Sequence, residues 1–375
     1  MGFHFRRVKL GRRFAAAVAL VLLIVAGALA GGIAWWVNQP LALSTRSVDF
    51  FIPLGTGLRA AAERMARAGI EVKPALLAAY LKLAARGQTI KAGEYIIERG
   101  VKPGDLLAKL IRGDRVVRSV KFLEGWTFAQ DREALARAPY LKHDSAGLSD
   151  AAVMAALGRP GVPPEGWFFP DTYQYDRGTS SDLSVLREAL RLMDQRLAAA
   201  WEERAPDLPL KTPEDALILA SLIEKETGHA ADRAEVAGVF VNRLRKDMPL
   251  QTDPSVIYGL GSAYDGRLKR QDLQIDSPFN TYLRRGLPPT PIAMPGEAAL
   301  MAAVRPAQTN ALYFVARGDG SSQFSDSLGD HNRAVNKYLR GGSPDANTAQ
   351  GAGTSAGAGT GGDTGTGKGA STGKP

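Results

Sequence analysis

Residues 14–37 form a run of 24 residues without a charge. A helix rises 1.5 Å per residue, so such a run reaches about 36 Å, enough to cross a hydrocarbon core of about 30 Å. Nothing else in the chain constrains its architecture as strongly, because an apolar segment of this length must either enter lipid or be removed. Arg6, Arg7, Lys9, Arg12 and Arg13 precede or abut it, and no acidic residue occurs before Asp49. That asymmetry predicts a basic N-terminus at 1–13 on the cytoplasmic side of a membrane, a transmembrane helix at 14–37, and the rest of the chain outside. Trp35 and Trp36 close the run, as aromatic residues do at the far interface. Ala28-Leu29-Ala30 has the small-residue pattern of a signal-peptide cleavage site, so a removed leader is the competing reading. The apolar stretch continues past that site to the Trp pair, which favours a retained anchor. Either reading exports the remainder.

Composition then narrows the chemistry. With 375 residues, of which 45% are hydrophobic, the chain has room for one large or two modest globular domains. The net charge of +9 owes much to the N-terminal cluster, and acids and bases are mixed elsewhere, so no nucleic-acid partner is expected. There is no cysteine, and His4, His143, His229 and His331 do not fall at metal-ligand spacing. Neither a metal nor another cofactor is expected.

The exported part reads as α+β. A strand at 48–53, helices at 58–68 and 74–85, a strand at 93–97, a short helix ending at Gly113 and a strand at 116–123 form a small module over residues 45–123. It resembles a LysM-type glycan-binding module, and a spacer domain fits the same pattern. Helices follow at 145–157 and 183–201. Between them, Glu165-Gly166-Trp167-Phe168-Phe169-Pro170-Asp171-Thr172-Tyr173 is either a hydrophobic plug or a sugar-stacking surface, and aromatic clusters more often pack cores. Thr212-Pro213-Glu214-Asp215 starts a further helix, with Thr212 as N-cap and Asp215 at the capping-box position. The next helix is at 231–244. Residues 250–259, 277–282 and 286–292 read as loops dense in amides, hydroxyls and aromatics. A strand at 311–316 and a last helix from Asp330 to about Leu339 close a larger α+β domain at 124–340. Residues 341–375 are Gly, Ala, Thr and Ser with little apolar bulk, which predicts a disordered tail.

Glu224 is the most informative polar residue. It follows the apolar run 216–223 and shares a helical face with Ala220 and Leu217. Partial desolvation raises a carboxyl pKa, and a position in the last helical turn, near Gly228, acts in the same direction. An acid held protonated near neutral pH can give its proton to a leaving oxygen. From this segment alone, an idle carboxylate at a helix end is the simpler reading.

The motifs taken together go further. Glu165 to Tyr173, Ile223-Glu224-Lys225-Glu226-Thr227, Asn242-Arg243-Leu244, residues 250–259, Asn280-Thr281-Tyr282 with Gly286-Leu287-Pro288-Pro289, and Asp330-His331-Asn332 resemble, in order and spacing, the endolytic murein transglycosylase (YceG-like) family. The likeness spans roughly residues 45–340 and the anchor. It implies an inner-membrane protein facing the periplasm that cuts nascent peptidoglycan strands internally, with Glu224 as catalytic acid and base. The partners it implies are glycan strands, the membrane and, at family level, peptidoglycan synthases. The family often has a histidine just before the Phe of the strand at 320–324; Gln323 stands there in this chain. Gln251, Thr252, Asp253, Asn280 and Tyr282 are candidates to line the glycan cleft. Glu226, about 200° around the helix from Glu224, is expected to support the site from behind. A hydrolytic muramidase and a non-catalytic glycan-binding scaffold are the alternatives.

Overall fold

A computed structural model of the chain describes residues 7–339. Part of the basic N-terminus, and the tail expected at 341–375, lie outside the described residues. Two compact units emerge. One comprises the described residues through Ser119 with Pro139–Lys142 and Gln174–Ser181; the other comprises Val120–Ala138, His143–Tyr173 and the described residues from Asp182 onward. Both short returns to the first unit have a physical cause. Arg177 reaches the buried Glu94 at 3.0 Å, and Tyr140 carries Arg118 and Arg177 over its ring at 4.6 and 4.0 Å.

The first unit begins with α1 (Arg7–Asn38), of which Phe14–Asn38 is long and apolar enough to cross a membrane. The two tryptophans at its end part company. Trp35 is exposed, whereas Trp36 packs against the unit's core and meets Tyr80 edge-on at 5.7 Å. Beyond it lie β1 (Ser47–Ile52), α2 (Leu58–Arg67), α3 (Pro74–Ala84), β2 (Gly93–Glu98) and α4 (Pro103–Arg112). The strands pair antiparallel, with Val48 opposite Ile97 and Phe50 opposite Tyr95. Strand alternation turns Val48, Phe50 and Ile52 to one face, where Ala61, Met65, Leu77, Leu81, Leu106 and Leu110 close the core. Gly113, at φ +79°, ends α4 in a left-handed cap that a side chain would strain.

The second unit takes over within β3 (Arg118–Lys121), which is shorter than the strand expected at 116–123. Next comes α5 (Phe128–Ala136), a helix not anticipated from periodicity. Thr127 and Gln130 nonetheless form a capping box at its start. α6 (Asp150–Ala156) starts later than the expected 145, because Ser149 is the cap that accepts the Ala152 N–H at 3.2 Å. β4 (Thr172–Tyr175), α7 (Asp182–Glu202), α8 (Pro213–Glu226) and α9 (Arg233–Arg245) follow. The segment 250–259 is not a loop as expected: α10 spans Asp253–Leu260. Its Thr-Asp-Pro start looks like turn chemistry, yet proline in the first helical turn loses no hydrogen bond. α11 (Glu297–Val304), the antiparallel pair β5 (Tyr313–Ala316) and β6 (Ser322–Ser325), and α12 (Leu328–Leu339) complete the described chain.

α8 is the axis of this unit. Every residue from Ala216 to Ile223 is buried, and α7, α9, α10 and α11 pack around it. Its apolar character all round is that of a helix enclosed by protein. The expected capping box is present, with Thr212 Oγ1 accepting the Asp215 N–H at 3.2 Å and Asp215 accepting the Thr212 N–H at 3.1 Å. Only in the last turn does the helix regain solvent: Glu224 and Glu226 are partly buried and Lys225 is exposed.

Candidate active site

Glu224 is held at the end of α8 by a neighbouring backbone. Gly296, the N-cap of α11, donates its N–H to Glu224 Oε2 at 3.0 Å. Arg233, in the first turn of α9, places a guanidinium nitrogen 4.0 Å from Oε1, and 8% of the Glu224 side chain is exposed. Burial raises the carboxyl pKa most strongly. The Gly296 hydrogen bond opposes this, the Glu124 charge adds to it, and Arg233 and Lys225 oppose it. The net direction is upward, so the acid form persists above the ordinary carboxylate range.

The backbone that carries Gly296 is laced on both sides. Ser221, one turn before Glu224, accepts the Ile292 N–H at 3.0 Å and donates to the Ile218 carbonyl at 2.7 Å. Gly125 donates to the Met294 carbonyl at 2.8 Å, and Met294 donates back to the Trp126 carbonyl at 2.7 Å. Lys225 Nζ reaches the Gly125 carbonyl at 3.2 Å. The segment 124–126 therefore lies beside the end of α8. Gly166 sits under Pro291 at φ +85°, where a Cβ would collide with the proline ring. Two motifs distant in sequence, at 165–173 and 286–292, are thus pressed together behind the site. The aromatics of the first are buried: Phe168 stacks on Phe128 at 4.9 Å, and Trp167, Phe169 and Tyr173 are almost enclosed. They form the plug rather than an exposed stacking surface.

The other residues singled out from sequence divide by access. Thr252 is 1% exposed and Asn280 0%, and their polar atoms are used internally. Thr252 Oγ1 donates to Glu226 Oε2 at 2.9 Å. Asn280 donates from Nδ2 to the Leu273 and Ile275 carbonyls at 3.0 and 2.8 Å and accepts the Tyr282 N–H at 3.0 Å. Both are held inside the unit by these bonds. Glu226 thus ties α8 to the start of α10, while Glu224 turns to Gly296. Gln251, Asp253 and Tyr282 are partly exposed. Gln251 adopts φ +52° and accepts from Arg243 at 3.0 Å; Tyr282 donates its hydroxyl to Asp253 at 2.5 Å.

Arg243 organises this region from within. It donates to the Leu312 carbonyl at 2.7 Å and the Pro249 carbonyl at 2.9 Å, and it lies 5.0 Å over the Tyr313 ring. His331 stacks on the same ring at 5.2 Å, and burial, with the Arg243 charge, lowers its pKa. Asn242 donates from Nδ2 to the Thr309 and Ala311 carbonyls at 2.7 and 3.0 Å, so it and His331 serve packing within their motifs. Among the described residues, no group of three or more His, Cys, Asp or Glu could hold a metal ion.

Sequence reasoning gave no role to five residues. Gly296 and Arg233 touch Glu224 from separate helices, and Glu124 lies against Gly296. Asp131 and Glu165 form a buried acidic pair near α10. Glu165 accepts the Phe128 N–H at 3.0 Å and the Tyr258 hydroxyl at 3.1 Å, and burial raises its pKa to about 7. Asp131 is 0% exposed, neither carboxyl oxygen has a partner among the described residues, and burial raises its pKa to about 8. The one local signal was Glu124-Gly125-Trp126-Thr127, an acid and a glycine directly after a strand and before a helix cap.

Comparison with known proteins meets this geometry. The chain is 40% identical over 177 residues to a Bacillus subtilis protein named endolytic murein transglycosylase, covering 47% of this chain and 48% of that one. It is 28% identical over 330 residues to a Streptococcus pneumoniae protein of the same name, covering 79% of this chain and 59% of that one. The chain thus spans about half to three-fifths of the length of these curated relatives. The crystal structure of a YceG-like protein from Listeria monocytogenes matches with a TM-score of 0.51 at 28% identity, over 77% of this chain and 99% of that one. The family model described as YceG-like matches residues 50–337, which take in parts of both units and every residue placed around Glu224, so the chain belongs to the YceG-like family.

Proposed function

We propose that this protein is an endolytic lytic transglycosylase that cleaves the MurNAc–GlcNAc bond of nascent peptidoglycan and leaves 1,6-anhydroMurNAc ends. The observation that carries the reading is Glu224: a carboxyl with a raised pKa, fixed by the Gly296 N–H in the last turn of a helix whose middle is enclosed. The names of the relatives supply the substrate class.

The Gly296 N–H occupies Oε2, which leaves the acid proton to Oε1. Glu224 gives that proton to the oxygen linking MurNAc C1 to GlcNAc C4, and the C1–O bond breaks through an oxocarbenium-like state. The C6 hydroxyl of the same MurNAc then attacks C1, and the ionised Glu224 takes its proton. One bond to C1 breaks and one forms, the proton moves from O6 to O4, and no water is consumed. Because the nucleophile belongs to the substrate, one enzyme carboxyl acts in turn as acid and base. Gln251, Asp253 and Tyr282 are the cleft-facing candidates, with Thr252, Asn280 and Glu226 holding them in place.

In this reading α1 anchors the chain in the inner membrane with its N-terminus in the cytoplasm, and the catalytic domain works in the periplasm beside the peptidoglycan synthases. The LysM-like module at 45–123 contributes glycan binding, and 124–340 carries the chemistry. Mass spectrometry of products from purified glycan strands tests the reaction. New ends lighter by one water than hydrolysis products are expected; reducing ends would make the enzyme a muramidase, and binding without new ends would make it a scaffold.

A further inference from the structure

Glu224 shares its backbone partner with a second carboxylate. Gly296 gives its N–H to Glu224, and a Cβ built on the same residue would strike the carboxylate of Glu124. Gly296 has ordinary extended φ and ψ of −79° and 173°, so its backbone does not call for glycine. What a side chain would displace is Glu124. Glu124 is itself exposed, on a segment fixed by the Gly125–Met294 and Met294–Trp126 backbone bonds and by Lys225 on the Gly125 carbonyl.

Resting on the reading of Glu224 as the acid, we propose that Glu124 is a positioning residue for its proton: held against Gly296, it keeps Glu224 in the acid form over the range in which the site works. The charged groups that face Glu224 are Glu124, Arg233 from α9 and Lys225 from α8 itself. Arg233 and Lys225 favour ionisation. Desolvation opposes them most strongly, and the Glu124 charge adds to it. Glu124 thus offsets part of the pull of the two cations at the end of α8 on the proton. After transfer, the same repulsion favours recapture of the proton from the C6 hydroxyl. The proton passes from Glu224 to the glycosidic oxygen and from O6 back to Glu224; Glu124 exchanges none.

The test is the pH profile of glycan cleavage by the full-length protein in detergent micelles, alongside carbon-13 NMR titration of the Glu224 carboxyl, assigned by its loss in Glu224→Gln. In Glu124→Gln the alkaline limb and the carboxyl midpoint should both move about half to one pH unit toward acid, the size expected for one lost neighbouring charge. Gly296→Ala, which keeps the N–H but evicts Glu124, should shift both in the same direction. Glu124→Asp should restore most of the wild-type profile. An unchanged midpoint in Glu124→Gln overturns the proposal, as does a loss of cleavage equal at every pH, which would make Glu124 a substrate contact or a second catalytic carboxyl. If the wild type cuts no glycan, the functional reading fails, and the carboxyl midpoint still decides the role of Glu124.

Discussion

In the smaller unit, Glu94 is 3% exposed and meets Arg118 at 2.9 Å and Arg177 at 3.0 Å. In the larger unit, Asp131 is 0% exposed with neither oxygen partnered among the described residues, and Glu165 accepts from a backbone N–H and a phenol. The arginine hydrogen bonds hold the Glu94 pKa below its ordinary value, while burial lifts Glu165 to about 7 and Asp131 to about 8. Burial alone therefore does not fix the sign. The lesson is that a cation within hydrogen-bond reach outweighs desolvation, and its absence lets desolvation win. Glu224 belongs with the second group: its nearest arginine contact is at 4.0 Å. It differs from Asp131, which is 0% exposed, in keeping 8% of its side chain open to solvent, and from Glu165 in lying beside Glu124 at the end of α8. A raised pKa marks all three groups, and their surroundings distinguish them.

The comparison breaks most visibly at Glu224. Glu224→Gln keeps the shape and the Gly296 hydrogen bond but cannot release a proton, so cleavage of glycan strands should fall about 10²–10⁴-fold, with the thermal midpoint nearly unchanged. Comparable loss in Glu165→Gln, without a change in stability, would place the chemistry at the buried pair instead. Glu165→Ala leaves the Phe128 N–H and the Tyr258 hydroxyl without their acceptor, and denaturant titration should show a loss of about 2–4 kcal/mol.

Two smaller effects sharpen the contrast between the units. Glu94→Gln removes the charge that pairs two arginines and should cost about 1–3 kcal/mol at neutral pH. Because the folded pKa of Glu94 is depressed, that stabilisation is present above the unfolded value and is lost as pH falls through the folded one. Hydrogen-exchange protection factors in the smaller unit should therefore fall toward acid, and Glu94→Gln should abolish that trend. Asp131 behaves oppositely. Its folded pKa, about 8, exceeds its ordinary 3.8, so the unfolded chain binds fewer protons between those values and stability falls as pH rises through that window. Asp131→Asn should flatten the slope and add about 1–2 kcal/mol near pH 8, read by denaturation at pH 5 and pH 8. An unaltered slope would mean that Asp131 is ionised and hydrated in solution.

Local rules carried much of the fold. The capping box at Thr212 and Asp215, the left-handed Gly113 and the alternation of Val48, Phe50 and Ile52 lie within a few residues of the structure they specify. Where they failed, a different rule was at work. The Thr252-Asp253-Pro254 start of α10 read as a turn because the same residues serve both, and burial of Ser255 and Val256 under α8 chose the helix. α5 has too weak an amphipathic pattern for periodicity to find. Thr252 and Asn280 looked like ligand groups from their chemistry alone; whether an amide faces solvent or a backbone carbonyl is invisible until the chain has folded.

The order of the motifs, the membrane-length run and the carboxyl at the end of α8 were determined by the sequence itself, since each depends on spacing, length or a helix end. The surroundings of that carboxyl were decided by tertiary structure. Gly296 is 72 residues from Glu224, and Glu124 lies on a segment whose Lys225–Gly125 bond spans 100 residues. A pKa is set by charges and donors within a few ångströms, and separation along the chain carries no information about which of them the fold will bring there.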